Sequence, residues 1–326
     1  MQSTRRYSAG TWALRAIVVL ALAVVLPVSV YGQAKVGTAG AKFLDIGISA
    51  RAMGMGEAYS AIANDVSAVY YNPAGLTQLF SREAMFTHIN YPAGINFEFA
   101  AVAFPIEALS GVIGFGFYNL NSGDIPLTTN GYVGNTETGE FDGEYFRAVD
   151  YAVAFSYARS LTEHFSLGGT FKMIGEYYDN ESARGWAADV GTLYDTGYRG
   201  FKIAMSIVNF GPDMKMVQQS YPLPINFKFG TSFNFLERPD HLAVFALEGA
   251  HPSDNLEQYN AGVEYWYLDK FSVRLGNRFN YDTDGFTAGA GLKWPFGETR
   301  EIRVDYSYQD FGFLREVHRF SLAVAF

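Results

Sequence analysis

Five histidines, His88, His164, His241, His251 and His318, are scattered along this 326-residue chain without the HExxH spacing that would hold zinc. Cysteine is absent, which excludes a thiolate nucleophile, a zinc–thiolate site and a disulfide framework. Asp282-Thr283-Asp284-Gly285 begins like a calcium loop but lacks the later ligands. Between two alternating segments it reads as a tight turn. Gly54-Met55-Gly56 lacks the third glycine and the βαβ setting of a dinucleotide loop, and no GxSxG elbow is present. No enzyme, metal or cofactor is expected.

The informative charges lie elsewhere. Lys172, Glu176, Asp189, Lys202, Lys228, Glu264, Arg274, Arg278, Lys293, Arg303 and Asp305 all fall on the small, polar side of segments whose other side is apolar. Ions at membrane depth are tolerated when they face water or a partner. Their mixed signs favour salt bridges between a wall and something inside it over a pore selective for one sign.

The elements that carry them alternate with period two. In the last segment His318, Phe320, Leu322, Val324 and Phe326 oppose Arg319, Ser321, Ala323 and Ala325. Fourteen such segments occur, at about 84–91, 95–104, 111–119, 145–158, 164–178, 184–195, 201–209, 224–236, 241–250, 257–267, 270–280, 285–294, 300–309 and 317–326. That leaves about 17 residues per strand and connection, of which a membrane strand takes about 10. The two longest connections, about 120–144 and 210–223, are both odd-numbered, as outer loops should be when both chain ends lie inside. Tyr118, Tyr145, Tyr178, Tyr194, Tyr267, Trp294 and Tyr308 stand near segment ends, where aromatic girdles belong.

Composition agrees. The chain is 49% hydrophobic and only 17% charged, yet its mean hydropathy is 0.00, too polar for a helical membrane protein and poor in charge for a soluble one. Residues 1–32 read as a secretory signal peptide, with Arg5, Arg6 and Arg15 before an uncharged run and small residues near Gly32. The leader has three basic and no acidic residues, so its removal takes the formal charge from −9 to −12. No basic footprint for nucleic acid remains. Residues 33–83 are Gly/Ala-rich without sustained alternation. Short helices are expected near 58–63 and 65–70, the second with Asn64 as its N-cap. In Asn72-Pro73-Ala74-Gly75 a turn is expected, with Gly75 free to take positive φ.

Residues 50–76, ARAMGMGEAYSAIANDVSAVYYNPAGL, resemble the N-terminal signature of the PorV/PorQ outer-membrane family, which is related in fold to the FadL long-chain fatty-acid transporters. Arg51, Gly54, Gly56, Asp65, Asn72, Pro73, Ala74 and Gly75 carry the match, and Glu57 departs from the small residue common there. The resemblance implies an N-terminal hatch, 33–83, inside a barrel formed by 84–326. It also implies either a PorV-like partner or shuttle in type IX protein secretion, or a FadL-like transporter of hydrophobic molecules.

The expected fold is thus an all-β membrane protein, a 14-stranded antiparallel outer-membrane β-barrel with an N-terminal hatch that the motif residues fold and seat. Expected partners are outer-membrane lipid and the barrel assembly machinery, with Phe326 as the assembly signal. To these the resemblance adds a secretion translocon and exported substrates, or alternatively a hydrophobic ligand. Tyr132, Phe141, Met214, Met216 and Tyr221 are the candidate docking residues of the two long loops.

Overall fold

Alternating apolar and polar side chains leave a strand with one face for a hydrocarbon solvent and one for water or protein. In lipid every backbone N–H and C=O must also be paired, and only closure of the sheet achieves that. The computed structural model describes residues 36–127, 143–283, 285–297 and 300–326. They form a closed barrel of fourteen antiparallel strands. These are β1 (Glu83–Asn90), β2 (Asn96–Ile106), β3 (Gly111–Asn121), β4 (Ala148–Ser160), β5 (Phe165–Tyr178), β6 (Glu181–Asp195), β7 (Lys202–Phe210), β8 (Asn226–Arg238), β9 (His241–Pro252), β10 (Gln258–Tyr267), β11 (Phe271–Phe279), β12 (Phe286–Pro295), β13 (Glu301–Asp310) and β14 (Glu316–Ala325). Each pairs with its sequence neighbour, and β1 closes on β14 in register from Glu83↔Ala325 to Asn90↔His318. No helix among the described residues is long and apolar enough to cross a membrane.

The outer surface is the apolar face. Phe115, Phe117, Phe155, Phe171, Phe227, Phe229, Phe233, Leu275 and Phe320 are all exposed although they are large and hydrophobic. A continuous belt of that kind on a closed barrel is a lipid-facing surface. Tyr194, Tyr267 and Trp294 are exposed near strand ends. Tyr118 does not belong to this girdle. It shares parity with Gly114 and Gly116, is fully buried, and packs against Phe99 with ring centroids 5.0 Å apart. Tyr178 also turns inward, toward Glu176.

The connections sort by parity. One end carries short turns such as 107–110, 239–240 and 268–270, and both barrel termini meet there, where Phe326 N–H donates to the Arg82 carbonyl. The opposite end carries 122–147 and 211–225. Long loops mark the outer side and short turns the periplasmic side. The expected strand at 145–158 starts later, at Ala148, because Tyr145–Phe146 pairs with Ile125–Pro126 in a separate hairpin.

Residues 36–82 run through the lumen from the outer end to the periplasmic end. Gly40 N–H donates to the Pro222 carbonyl of an outer loop, Ala50 N–H to Ser321 of β14, and Asn72 Nδ2 to the Thr192 carbonyl of β6. Thr77 reaches Ser166 of β5. The first helix is Ala50–Gly54, capped by Ser49, whose hydroxyl accepts from Ala52 N–H. Residues 58–63 are turns, not a helix. The second helix is only Ala68–Tyr71, and its entry is fixed by Asp65, which accepts from Ser67 N–H. Asn64 instead accepts from Arg51.

Candidate functional site

Glycines let the N-terminal segment approach the wall. Gly56 has φ +63°, and a Cβ on Gly276 of β11 would run into Gly56 N and the Met55 carbonyl carbon. Gly54 lies on β12, where its Cβ would sit 3.1 Å from Gly289 Cα. Gly75 does not adopt positive φ. Its Cβ would instead strike the Ala63 carbonyl, so close backbone approach explains it. Asn72 Oδ1 accepts from Ala74 N–H, and Pro73 opens the 3-10 turn Pro73–Gln78.

With the segment seated, one chain of charges crosses the lumen. Arg51 donates from Nε and Nη2 to the two Glu264 oxygens at 2.8 and 2.7 Å. Glu264 also accepts from Arg274 at 2.7 Å, and Arg274 reaches Asp305 at 2.7 Å. Arg303 bonds Asp305 at 3.1 Å, Asp65 at 2.9 Å and Glu83 at 3.1 Å. Asp65 also accepts from Tyr59 Oη at 2.8 Å. Burial alone would push the Asp65 carboxyl up, but the Arg303 and Arg51 guanidiniums hold it below the usual carboxylate range.

The remaining lumen charges are dispersed. Lys172 and Asp189 pair at 2.7 Å beside Asn209, where the β6–β7 ladder shifts register. Lys228 lies 3.9 Å from Glu248 and Arg278 3.2 Å from Glu57. Lys202 bonds Gln78, and Lys293 pairs with Asp269 and Glu301 at the periplasmic rim. Glu176 accepts from Ala41 N–H of the segment and from Tyr221 Oη of the outer loop. It thereby ties the two together.

The outer loop folds inward. Met214 is 1% exposed and packs over Gly185 on the inner face of β6, with Met216 and Tyr221 half-buried. These three residues cap the lumen and do not form an exposed docking patch, because the hairpin Met214–Met216/Gln219–Tyr221 turns its apolar side toward the segment. Tyr132 and Phe141 lie outside the described residues. The histidines stay apart. His241 meets Tyr265 at 2.7 Å and His318 meets Tyr306 at 2.8 Å. Among the described residues no three His, Asp or Glu side chains converge as metal ligands would.

Cavities remain along the lumen among the described residues. An apolar one of about 590 Å³ lies at the outer mouth, lined by Phe43, Ile46, Tyr91, Leu120, Met216 and Phe311. Next to it a polar one of about 350 Å³ includes Lys228, Asn260 and Arg319. A polar vestibule of about 880 Å³ opens at the periplasmic end, with Arg51, Glu264 and Arg303 in its lining. Periodicity could not have found the mouth, because its walls come from the segment, three loops and three strand ends.

No family model matches the chain, and no curated protein matches it either. Solved structures do. The Ralstonia pickettii toluene transporter TbuX superposes with a TM-score of 0.58 at 12% identity, covering 86% of this chain and 97% of that one. The P. putida toluene transporter TodX gives 0.56 at 10% identity, covering 85% and 95%. A Pseudomonas aeruginosa FadL homologue gives 0.53 at 12%, covering 86% and 98%. At such identities the likeness is one of fold. The chain is a fourteen-stranded antiparallel β-barrel of the bacterial outer membrane, with the fold of the FadL-type barrels.

Proposed function

We propose that this protein is a non-enzymatic outer-membrane transporter of small hydrophobic molecules, with residues 36–82 as its hatch. The apolar cavity at the outer mouth carries the reading. A solute there leaves water for Phe43, Ile46, Leu120, Met216 and Phe311, a transfer that gains roughly 25 cal/mol per Å² of apolar area buried.

The onward route is sideways. Beneath the mouth lies the polar cavity, and toward the periplasmic end stand the buried ion pairs of Arg51, Arg274 and Arg303, which an apolar solute cannot solvate. Beside the mouth, the β6–β7 ladder ends at Ala188↔Phe210 while β6 continues up to Glu181. Over those seven residues β6 stands next to loop 211–225 instead of a paired strand. Displacement of that loop, held by the Tyr221–Glu176 hydrogen bond, opens the cavity toward lipid.

The PorV-like secretion role rests on residues 50–76 alone, and the inward turn of Met214, Met216 and Tyr221 removes most of its docking surface. Affinity isolation from native membranes separates the two. Co-purifying apolar small molecules, with monoaromatic or acyl probes quenching intrinsic fluorescence, support transport. Recovery of a translocon or of exported signal-domain proteins, without ligand, overturns it.

A further inference from the structure

The apolar cavity at the outer mouth carries acid without matching base. Asp150 of β4 and Glu176 of β5 both line it, and they stand directly opposite each other in the strand ladder. Like charges so placed destabilise a sheet. Asp150 is 7% exposed and Glu176 2%. Neither has a basic side chain within 4.0 Å among the described residues. Glu176 is held by neutral donors alone, Ala41 N–H, Tyr178 Oη and Tyr221 Oη. Asp150 has less. Its Oδ1 is bonded to nothing, and the Tyr178 hydroxyl beside it donates to Glu176 at 3.3 Å. The one base in the lining, Lys42, is committed to Asp45 and, at 3.0 Å, to Asp254. With those two partners included, four carboxylates stand against one ammonium.

The rim repeats the sign. The seven connections at the outer end, 91–95, 122–147, 179–180, 211–225, 253–257, 280–285 and 311–315, contain eleven Asp and Glu against three Lys and Arg. The six at the periplasmic end contain five against three. A cleft with low-dielectric walls and one sign of charge concentrates the opposite ion and repels its own. The rest of the wall is apolar. Tyr91 and Phe311 meet edge to face with centroids 5.8 Å apart, and Phe43, Ile46, Leu120 and Met216 complete it. Aromatic faces attract cations, while aliphatic groups exclude an ion that keeps its water. A calcium ion needs about six to eight oxygens, and no third His, Asp or Glu among the described residues joins this pair. An organic ammonium answers both features. Its N–H groups meet the carboxylates, and its apolar body meets the wall. The cavity of about 590 Å³ is of the size that holds a small molecule.

We infer that the mouth selects hydrophobic amines in their protonated form, with the ammonium at Asp150 and Glu176 and the apolar body against Phe43, Tyr91 and Phe311. This names the substrate class of the transport site proposed above and rests on that reading.

The test is calorimetric titration of the full barrel in zwitterionic lipid nanodiscs at neutral pH, with the heat of empty nanodiscs subtracted. Heat-modifiable gel migration checks folding. The probes share one aromatic body: 2-phenylethylamine is the cation, ethylbenzene the neutral analogue and 3-phenylpropionate the anion. 2-Phenylethylamine should bind at least tenfold more tightly than either of the others. Asp150→Asn should cut the ratio of amine to ethylbenzene affinity at least tenfold, and Glu176→Gln should lower the same ratio. Ethylbenzene binding as tightly as the amine overturns the inference and leaves the transport reading standing. Equal or tighter binding of 3-phenylpropionate overturns the charge selection. Silence with all three probes in the folded barrel overturns the transport reading as well. An unchanged ratio in folded Asp150→Asn removes the ammonium from that carboxylate. The wild-type order of the three probes decides the matter even where neither variant folds.

Discussion

Asp65 receives hydrogen bonds from Tyr59, Ser67, Arg51 and Arg303 inside a lumen where it has no access to water. A buried carboxylate so placed is stable only while its partners stay, and removing one partner of a buried pair costs about 3–5 kcal/mol. Asp65→Ala should therefore free residues 36–82 to protease while the barrel keeps its heat-modifiable migration; equal protection in both proteins would show the pairing to be dispensable. The pH dependence follows from the lowered carboxyl. Because the folded value lies below the unfolded value near 3.8, the stabilisation is complete above that value and is lost as pH falls through the lower, folded one. Hydrogen exchange across 36–82 should stay slow from neutral pH to about pH 4 and rise only below it.

Elements translate these residues into position. The segment seats because Gly54 and Gly56 oppose Gly276 and Gly289, so two backbones meet without side chains between them. Gly276→Val should push the segment off β11 and expose it to protease, with strand pairing preserved. On the opposite face the strand meets lipid. Phe229, 40% exposed on β8, replaced by Arg should destabilise the refolded barrel by about 2–4 kcal/mol if it lies at the bilayer midplane, measured by denaturant titration in vesicles. A change near zero would remove Phe229 from the hydrocarbon. Strand phase was legible residue by residue, because period-two alternation is a local property. Tyr118 lies near a strand end yet is buried, because its parity with Gly114 and Gly116 sets its direction.

At the scale of the whole molecule, the outer mouth is clasped where Glu176 holds Ala41 and Tyr221 at once, beside the Gly40–Pro222 hydrogen bond. Tyr221→Phe removes only the hydroxyl and should raise the rate of uptake of a hydrophobic probe into cells or vesicles severalfold without altering thermal stability by more than about 1 kcal/mol. A slower rate would show that the loop guides the solute instead of barring it. The lumen below is filled with paired charges. Electrical conductance for ions should accordingly be small in planar bilayers, and a large steady current would contradict the reading of the ion pairs as a seal.

Local pattern alone determined the strand count, the parity of the long loops and which face of each strand meets lipid, and it set eleven charges on the side away from lipid as candidates for the lumen. All of these follow from chemistry within about ten neighbouring residues. The tertiary structure decided what those charges do. Arg51 lies 213 positions from Glu264, and no periodicity encodes that partnership. Closure of the sheet decides it, by bringing β10, β11 and β13 around a segment threaded between them. The same closure turned Met214 and Tyr221 into a cap, divided the lumen into an apolar mouth and a polar cavity, and buried Arg319 against Gly47 and Gln309 with no carboxylate within 4.0 Å among the described residues.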